Sequence, residues 1–148
     1  MNLIISLLPE SRIALGLAAG NKKRLFEEVG QIFEADCDIS STLVFDSLFA
    51  REKLGSTGLG QGIAIPHGRI KGLKEAAGAF VRLAEPIEFD APDGRPVSLL
   101  FVLLVPEQAT DTHLQILSEL ATRFADKAFR EKLAVAADAA AVRALFAN

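Results

Sequence analysis

Hydrophobic residues along the chain follow two different spacings, which predict strands and helices. Residues 12–17 alternate between apolar and other side chains, residues 63–65 and 77–85 form apolar runs, and residues 97–105 form the longest run. Alternation and short apolar runs are typical of strands. The longest run is rich in branched aliphatic side chains and stops at Pro106, so it is predicted to be a buried strand.

Helical spacing of apolar residues begins after residue types that commonly cap helices. The candidate caps are Asn21, Ser40 or Ser41, and Thr112, the last with Gln115 at capping-box spacing. Gly55 is predicted to end the second helix in a left-handed C-cap. Two shorter helices are predicted around residues 129–133 and after Asp138.

Strands and helices are interleaved along all 148 residues, and no internal repeat, low-complexity tract or linker interrupts them. This order predicts an α/β protein in which helices cover a central sheet. A chain of this length commonly forms one domain with a sufficient core. We therefore expect a single domain over residues 1–148.

The composition excludes several classes of protein. The net charge is −3, so there is no basic surplus to drive nucleic-acid binding. Cys37 is the single cysteine, which excludes an internal disulfide and fits a reducing, cytoplasmic location. We expect Cys37 to be a small buried apolar residue rather than a nucleophile. The longest apolar run is far shorter than the ~20 residues of a membrane helix, so no membrane insertion is expected.

The glycine-rich segment GSTGLGQGIAIPHG, residues 55–68, is the first candidate for chemistry. Glycines allow positive φ angles, and successive backbone N–H groups in such a loop form an anion-binding nest. The amide of Gly58 and the hydroxyls of Ser56 and Thr57 are candidate phosphate ligands. The alternative is a loop that only connects a helix to a strand.

Better-known phosphate and metal motifs do not fit this segment. A Walker-type loop requires a lysine where Gln61 stands, and the dinucleotide fingerprint requires a third glycine where Ile63 stands. The chain has two histidines and one cysteine without zinc-ligand spacing, and it has no G-x-S-x-G serine elbow. We expect neither a metal nor a cofactor.

His67 and two distant residues form the second candidate constellation. Pro66 presents His67 rigidly behind the loop, and a neutral imidazole beside an anion nest is a suitable nucleophile for a phosphoryl group. Arg51, near the end of the second helix, could bind the phosphoryl oxygens. His113, on the first turn of the third helix, could face His67 and be kept neutral by the helix N-terminus. The alternatives are a structural histidine, an arginine that pairs with the helix dipole, and a solvent-exposed histidine.

The segment AREKLGSTGLGQGIAIPHGR, residues 50–69, resembles the active-site signature of enzyme IIA of the bacterial phosphotransferase system, fructose/mannitol and nitrogen-regulatory class. Residues 85–124 resemble a later part of the same domain, and the similarity extends over nearly the whole chain. The stretches FDAPDGRPV and THLQILSELA are more similar to the nitrogen-regulatory branch. Gln61 stands where many relatives have asparagine, which retains an amide in the loop.

The resemblance implies a fold and a set of roles. The family fold is a mixed β-sheet with helices on both faces. His67 matches the histidine that carries the phosphoryl group, and Arg51, Thr57 and His113 match the other active-site residues of the family. The phosphoryl donor would be the phosphohistidine of an HPr-like carrier protein, with phosphoenolpyruvate as the ultimate source. The regulatory branch implies target proteins, which the sequence does not identify.

Two alternative functions stay open at the level of the sequence. The first is a sugar-specific enzyme IIA that feeds a permease; such domains are often fused to permease domains, whereas we expect one domain here, which favours regulation. The second is a non-catalytic module that binds phosphate-containing ligands through the glycine-rich loop.

Overall fold

A computed structural model describes residues 3–108 and 111–148. The strands of the described residues are β1 (Ile13–Leu17), β2 (Gly58–Gly60), β3 (Ile63–Ala64), β4 (His67–Ile70), β5 (Ala77–Ile87) and β6 (Val97–Pro106). The helices are α1 (Lys22–Cys37), α2 (Ser41–Leu54), α3 (Asp111–Ala125), α4 (Lys127–Val135) and α5 (Ala139–Ala147). Two 3₁₀ turns, Ile5–Leu7 and Glu10–Arg12, precede β1.

These strands form one mixed sheet in the order β1-β5-β6-β3-β2. The strand β4 also pairs with β6, at residues that follow those paired with β3. β1 is parallel to β5, β3 and β4 are parallel to β6, and the pairs β5–β6 and β2–β3 are antiparallel. The single-domain α/β class and the mixed sheet are therefore confirmed.

Both faces of the sheet are covered by helices, which explains the long apolar run in β6. Alternate β6 side chains, such as Leu100 and Val102, pack with α1 and α2, whereas Phe101 and Leu103 pack with residues of α3, α4 and α5. Because side chains alternate across a strand, a strand buried on both faces needs apolar residues at every position. The predicted helices on both faces are thus present.

Several predicted helix ends are confirmed. The Asn21 side chain accepts a hydrogen bond from Arg24 N at 2.8 Å, and Ser40 accepts one from Leu43 N at 3.5 Å. Asp138 caps α5 in the same way, through Ala141 N. Side-chain oxygens at these positions satisfy N–H groups that have no partner within the helix.

Two predicted helix ends differ in the structure. Gly55 follows α2, but with φ 157° and ψ 147° it is not in the left-handed helical conformation. The α3 helix begins at Asp111, within one residue of the predicted start near Thr112, but Thr112 lies inside the first turn and not at the N-cap position predicted for it. An acidic residue in the first turn is itself favourable because the helix N-terminus is positive.

Cys37 is only partly buried, which corrects the expectation of a buried apolar residue. Arg12 Nη1 lies 2.8 Å from its Sγ, and burial raises the pKa of the thiol. A raised thiol pKa disfavours the nucleophilic thiolate. Within the described ranges, no helix has both the length and the apolar character needed to cross a bilayer.

Candidate active site

His67 begins strand β4 directly after Pro66, and its backbone is held by β6. It pairs in register with Leu103, and Leu103 N donates to Pro66 O at 3.0 Å. The ring nitrogen Nδ1 lies 2.8 Å from Ile65 O. Because a carbonyl accepts but does not donate, the neutral ring carries its proton on Nδ1 and has its lone pair on Nε2.

Gly68 brings helix α2 against β4 and so brings Arg51 towards His67. A side chain at position 68 would overlap Ser47 Oγ of α2. Ser47 Oγ donates to Arg69 O at 2.8 Å, which joins the helix and the strand at this close approach. Glycine is therefore needed at position 68 because it lets α2 approach β4 closely, and not because the backbone turns there.

A cleft of about 630 Å³ brings the three predicted site residues together: Arg51 from α2, His67 from β4 and His113 from α3 all line it. Arg69 and Lys71 add two more cationic residues to its wall. Residues from elements far apart in the sequence thus meet at one cleft. Within the part of the chain that the structure describes, no group of three or more histidine, cysteine or acidic residues is arranged to hold a metal ion.

The surroundings of His67 favour its neutral form. Burial lowers the pKa of His67 below its ordinary value of 6.5, and the electrostatic effects of the neighbouring Arg51 and His113 act in the same direction. The hydrogen bond to Ile65 and the charge of Glu52 act in the opposite direction. Because the net direction is downward, His67 presents a neutral nucleophile at neutral pH.

We expect the imidazole of His67 to titrate with a midpoint below 6.5 in an NMR pH titration. At pH values between the pKa of His67 in the folded chain and its pKa in the unfolded chain, the unfolded chain then binds more protons than the folded chain. The stability contributed by neutral His67 is therefore complete above the unfolded pKa and is lost as the pH falls towards the folded pKa. Urea unfolding at several pH values should show this loss in the wild type but not in His67→Gln. A midpoint at or above the ordinary value would contradict the burial argument.

His113 lies in the wall between the cleft and a neighbouring cavity of about 590 Å³, which it also lines. Its Nδ1 is buried and has no hydrogen-bond partner among the described residues. A buried N–H without an acceptor is costly, so the proton of neutral His113 belongs on Nε2. The ring can then donate a hydrogen bond from Nε2.

Arg51 lies on the last turn of α2, where Nη1 donates to Gly55 O at 2.8 Å. This contact ties the arginine to the start of the glycine-rich loop. A guanidinium has five N–H donors, so further donors are available for an anion in the cleft.

The three predicted phosphate ligands of the loop already have intramolecular acceptors. Ser56 Oγ donates to Phe89 O at 2.7 Å, Thr57 Oγ1 donates to Glu52 Oε1 at 2.6 Å, and Gly58 N donates to Ser56 Oγ at 3.1 Å. Phosphate binding by Ser56, Thr57 and Gly58 stays a prediction, and it would require these bonds to be exchanged.

Sequence reasoning missed Glu52 and Lys22, which lie next to the site. Glu52 is buried, and its carboxylate contacts both Thr57 and Lys22. The two charges are 30 residues apart in the chain, and no local pattern predicts that they meet. The strand β4 was also missed, since a histidine, a glycine and an arginine give no strand signal.

The comparisons with known proteins agree with this architecture. Residues 6–148 match the family model described as phosphoenolpyruvate-dependent sugar phosphotransferase system, EIIA 2. The nitrogen regulatory protein of Pseudomonas aeruginosa is 42% identical over 92% of this chain and 89% of its own length. That of Bradyrhizobium diazoefficiens is 37% identical over 97% of this chain and 94% of its own length.

A solved structure gives the same result. The crystal structure of nitrogen regulatory protein IIA-Ntr from Neisseria meningitidis is 58% identical, with a TM-score of 0.93 over 97% of this chain and 99% of the other. The sugar-specific alternative is not favoured. Each of these three relatives is named a nitrogen regulatory protein, and the match to this chain covers at least 89% of each of them. The chain therefore belongs to the EIIA type 2 family of the phosphoenolpyruvate-dependent phosphotransferase system, on its nitrogen-regulatory branch.

Proposed function

We propose that this protein, as one EIIA domain over residues 1–148, accepts a phosphoryl group on Nε2 of His67 from the phosphohistidine of an HPr-like carrier. The observation that carries the proposal is the hydrogen bond between His67 Nδ1 and Ile65 O at 2.8 Å, within a cleft that Arg51 and His113 also line. This bond leaves Nε2 as the nucleophile. The family to which the chain belongs supports the same reaction.

The transfer exchanges one nitrogen–phosphorus bond for another. A bond forms between phosphorus and Nε2 of His67 as the bond to the carrier's imidazole breaks, and the electron pair of the broken bond goes to that imidazole. The proton on Nδ1 of His67 stays in place, where Ile65 O stabilises the positive charge that the ring acquires. Since like bonds form and break, the site has to supply orientation and charge stabilisation rather than a large driving force.

Arg51 and His113 supply the charge stabilisation in this proposal. The phosphoryl group carries its charge on three equatorial oxygens during transfer. Arg51 and His113 both line this cleft, and the guanidinium of the one and the Nε2–H of the other are the donors that we assign to these oxygens. Preorganised donors of this kind act strongly once the partner protein has excluded water from the site.

Exposed leucines at the mouth of the cleft suit contact with a protein rather than with a small molecule. Leu43 and Leu54 line the cleft and are 48% and 84% exposed. We infer that the carrier covers them during transfer, which removes water from His67.

The test of the function is a phosphoryl relay. The protein is incubated with labelled phosphoenolpyruvate, enzyme I and the HPr-like carrier, and we expect acid-labile, base-stable label on one histidine. A protein that binds phosphate but takes up no label in this assay would instead be the non-catalytic binding module.

We further propose that the phosphorylation state of His67 regulates partner proteins. A phosphoryl group adds up to about two negative charges to the cleft, whose wall otherwise carries three cationic residues, Arg51, Arg69 and Lys71, and two acidic ones, Asp46 and Glu107. A partner that covers this cleft with apolar or acidic groups would bind the unmodified form and be repelled by the phosphorylated form.

We expect the affinity of such a partner to fall by about 5-fold to 150-fold on phosphorylation, the usual range for coupled binding. Proteins captured on wild type and released by phosphorylation would be titrated against wild type, phosphorylated wild type and His67→Glu. The neutral variant His67→Gln serves as the control, and it should bind like the unmodified wild type. Equal affinity for all four forms, for every captured protein, would remove the regulatory proposal and leave the transfer proposal intact.

A further inference from the structure

The residue that follows Arg51 carries a buried charge to which the proposed reaction assigns no role. The Glu52 side chain is 5% exposed, and its Oε2 lies 2.9 Å from Nζ of Lys22, which is 19% exposed. These two residues join the last turn of α2 to the first turn of α1. Desolvation offsets most of the attraction in a buried ion pair, so stability alone is a weak reason for its presence.

The carboxylate of Glu52 also holds the glycine-rich loop at Thr57. Thr57 Oγ1 donates to Oε1 at 2.6 Å, and Thr57 N donates to Oε2 at 3.1 Å. Thr57 is itself buried. The side chain and the backbone of Thr57 are thus fixed by one charged group, and hydrogen bonds to an ionised acceptor are stronger than neutral ones.

From Thr57 the hydrogen bonds continue to the nucleophile. Ile65 N donates to Thr57 O at 3.0 Å, and Ile65 O lies 2.8 Å from Nδ1 of His67. The carbonyl that sets the tautomer of His67 therefore belongs to a residue whose amide is anchored on Thr57. The sequence of contacts is Lys22, Glu52, Thr57, Ile65 and His67.

We propose that Glu52, paired with Lys22, is a positioning residue for phosphoryl transfer: it holds Thr57 and Ile65 so that Ile65 O keeps the proton of His67 on Nδ1 and Nε2 towards the cleft. This inference rests on the proposed function of His67. Glu52 touches neither the phosphoryl group nor the reacting nitrogen, and it acts through the backbone between them.

Lys22 has two tasks in this arrangement. Its ammonium lies 4.6 Å from the centre of the Phe89 ring and 3.4 Å from Asp90 Oδ2, so it has a defined place against the segment that follows β5. It also offsets the negative charge of Glu52, which would otherwise repel an incoming phosphoryl group. Without Lys22, the buried carboxylate would have lost its cationic partner, which is strongly unfavourable.

The kinetic test compares substitutions along this series of contacts. Glu52→Gln keeps the size of the side chain but places an amide N–H₂ group where one of the oxygens accepts hydrogen bonds. We expect the transfer rate constant at saturating phosphorylated carrier to fall by about 10-fold to 100-fold, the loss that a misplacement of about 1 Å causes. The carrier concentration for half-maximal rate should stay unchanged, because Glu52 does not contact the carrier.

Two further sets of variants show whether the residues act as a unit. Thr57→Val removes the hydroxyl donor and should slow transfer, whereas Thr57→Ser, which keeps it, should recover most of the rate. Lys22→Met should slow transfer as well. The double variant Lys22→Met/Glu52→Gln should be no slower than Glu52→Gln alone, since coupled residues are not additive.

A spectroscopic readout separates positioning from a general loss of stability. In ¹⁵N spectra of the histidine rings, the neutral wild type should show the proton of His67 on Nδ1. We expect Glu52→Gln and Thr57→Val to populate the tautomer with the proton on Nε2. Asp36→Asn is the matched control, because it also converts an acid paired with a cation, Arg12 at 2.6 Å, into an amide. It should leave both the tautomer and the transfer rate as in the wild type.

The outcomes distinguish this inference from the proposed function. If Glu52→Gln and Thr57→Val keep the wild-type tautomer and rate, the positioning role of Glu52 is wrong while transfer to His67 stands. If the wild type takes no label, the proposed function is wrong, and the tautomer spectra still decide whether Glu52 orients His67. Should Glu52→Gln fail to fold, the pair Thr57→Val and Thr57→Ser gives the same decision.

Discussion

Replacing His67 with alanine is expected to abolish labelling of the protein in the phosphoryl relay. The other imidazole that lines the cleft belongs to His113, and its Nδ1, the nitrogen expected to carry the lone pair, is buried. The labelled wild type should therefore carry its phosphate on His67 and none on His113. Gel autoradiography of both proteins, with site mapping of the wild type, measures this.

The control for this experiment is the folded state of the variant. The His67 ring is partly buried and makes a side-chain hydrogen bond to Ile65 O, so His67→Ala loses a contact but no large part of the core. Circular dichroism and thermal unfolding should show a folded protein. Label on folded His67→Ala at the wild-type level, or substantial phosphate on His113, would show that the nucleophile is assigned to the wrong residue.

Replacing Arg51 with alanine should slow phosphoryl transfer by about 10²-fold to 10³-fold, equivalent to ~2.7–4 kcal/mol of transition-state stabilisation. The reason is the loss of the guanidinium from the wall of the cleft that holds His67. Arg51→Lys should recover only part of the rate, because an ammonium keeps the charge but not the planar set of donors. Single-turnover transfer from the phosphorylated carrier gives the rate constants.

Arg24→Ala is the matched control for Arg51→Ala. It also removes an arginine from a helix, but the Arg24 guanidinium pairs with Glu28 at 2.9 Å on the exposed surface of α1. Its transfer rate should equal that of the wild type. If Arg51→Ala transfers as fast as Arg24→Ala, Arg51 serves only to tie α2 to Gly55 O and has no part in the reaction.

Local signals in the sequence were sufficient for most of the secondary structure. The caps at Asn21 and Ser40 and the apolar run of β6 were recognised because each depends on residues a few positions apart. The start of α3 near Thr112 was recognised to within one residue, but the N-cap was assigned to Thr112, which lies inside the first turn, since several residue types at a helix start can satisfy its first N–H groups. The conformation of Gly55 was also missed, because a glycine permits many backbone angles and does not select one.

By itself the sequence determined the α/β class, the covering of both sheet faces, the family signature around His67 and the three residues Arg51, His67 and His113 as candidates. Only the tertiary structure decided that these residues share a cleft, that Ile65 O fixes the proton of His67, and that the hydroxyls of Ser56 and Thr57 are already bonded. Only it showed that Lys22 reaches Glu52. The physical reason is the distance along the chain over which each signal acts. The spacing of hydrophobic residues and the capping of helices depend on residues a few positions apart. The contacts of the site join segments that are distant in the chain and meet only when both faces of the sheet are packed.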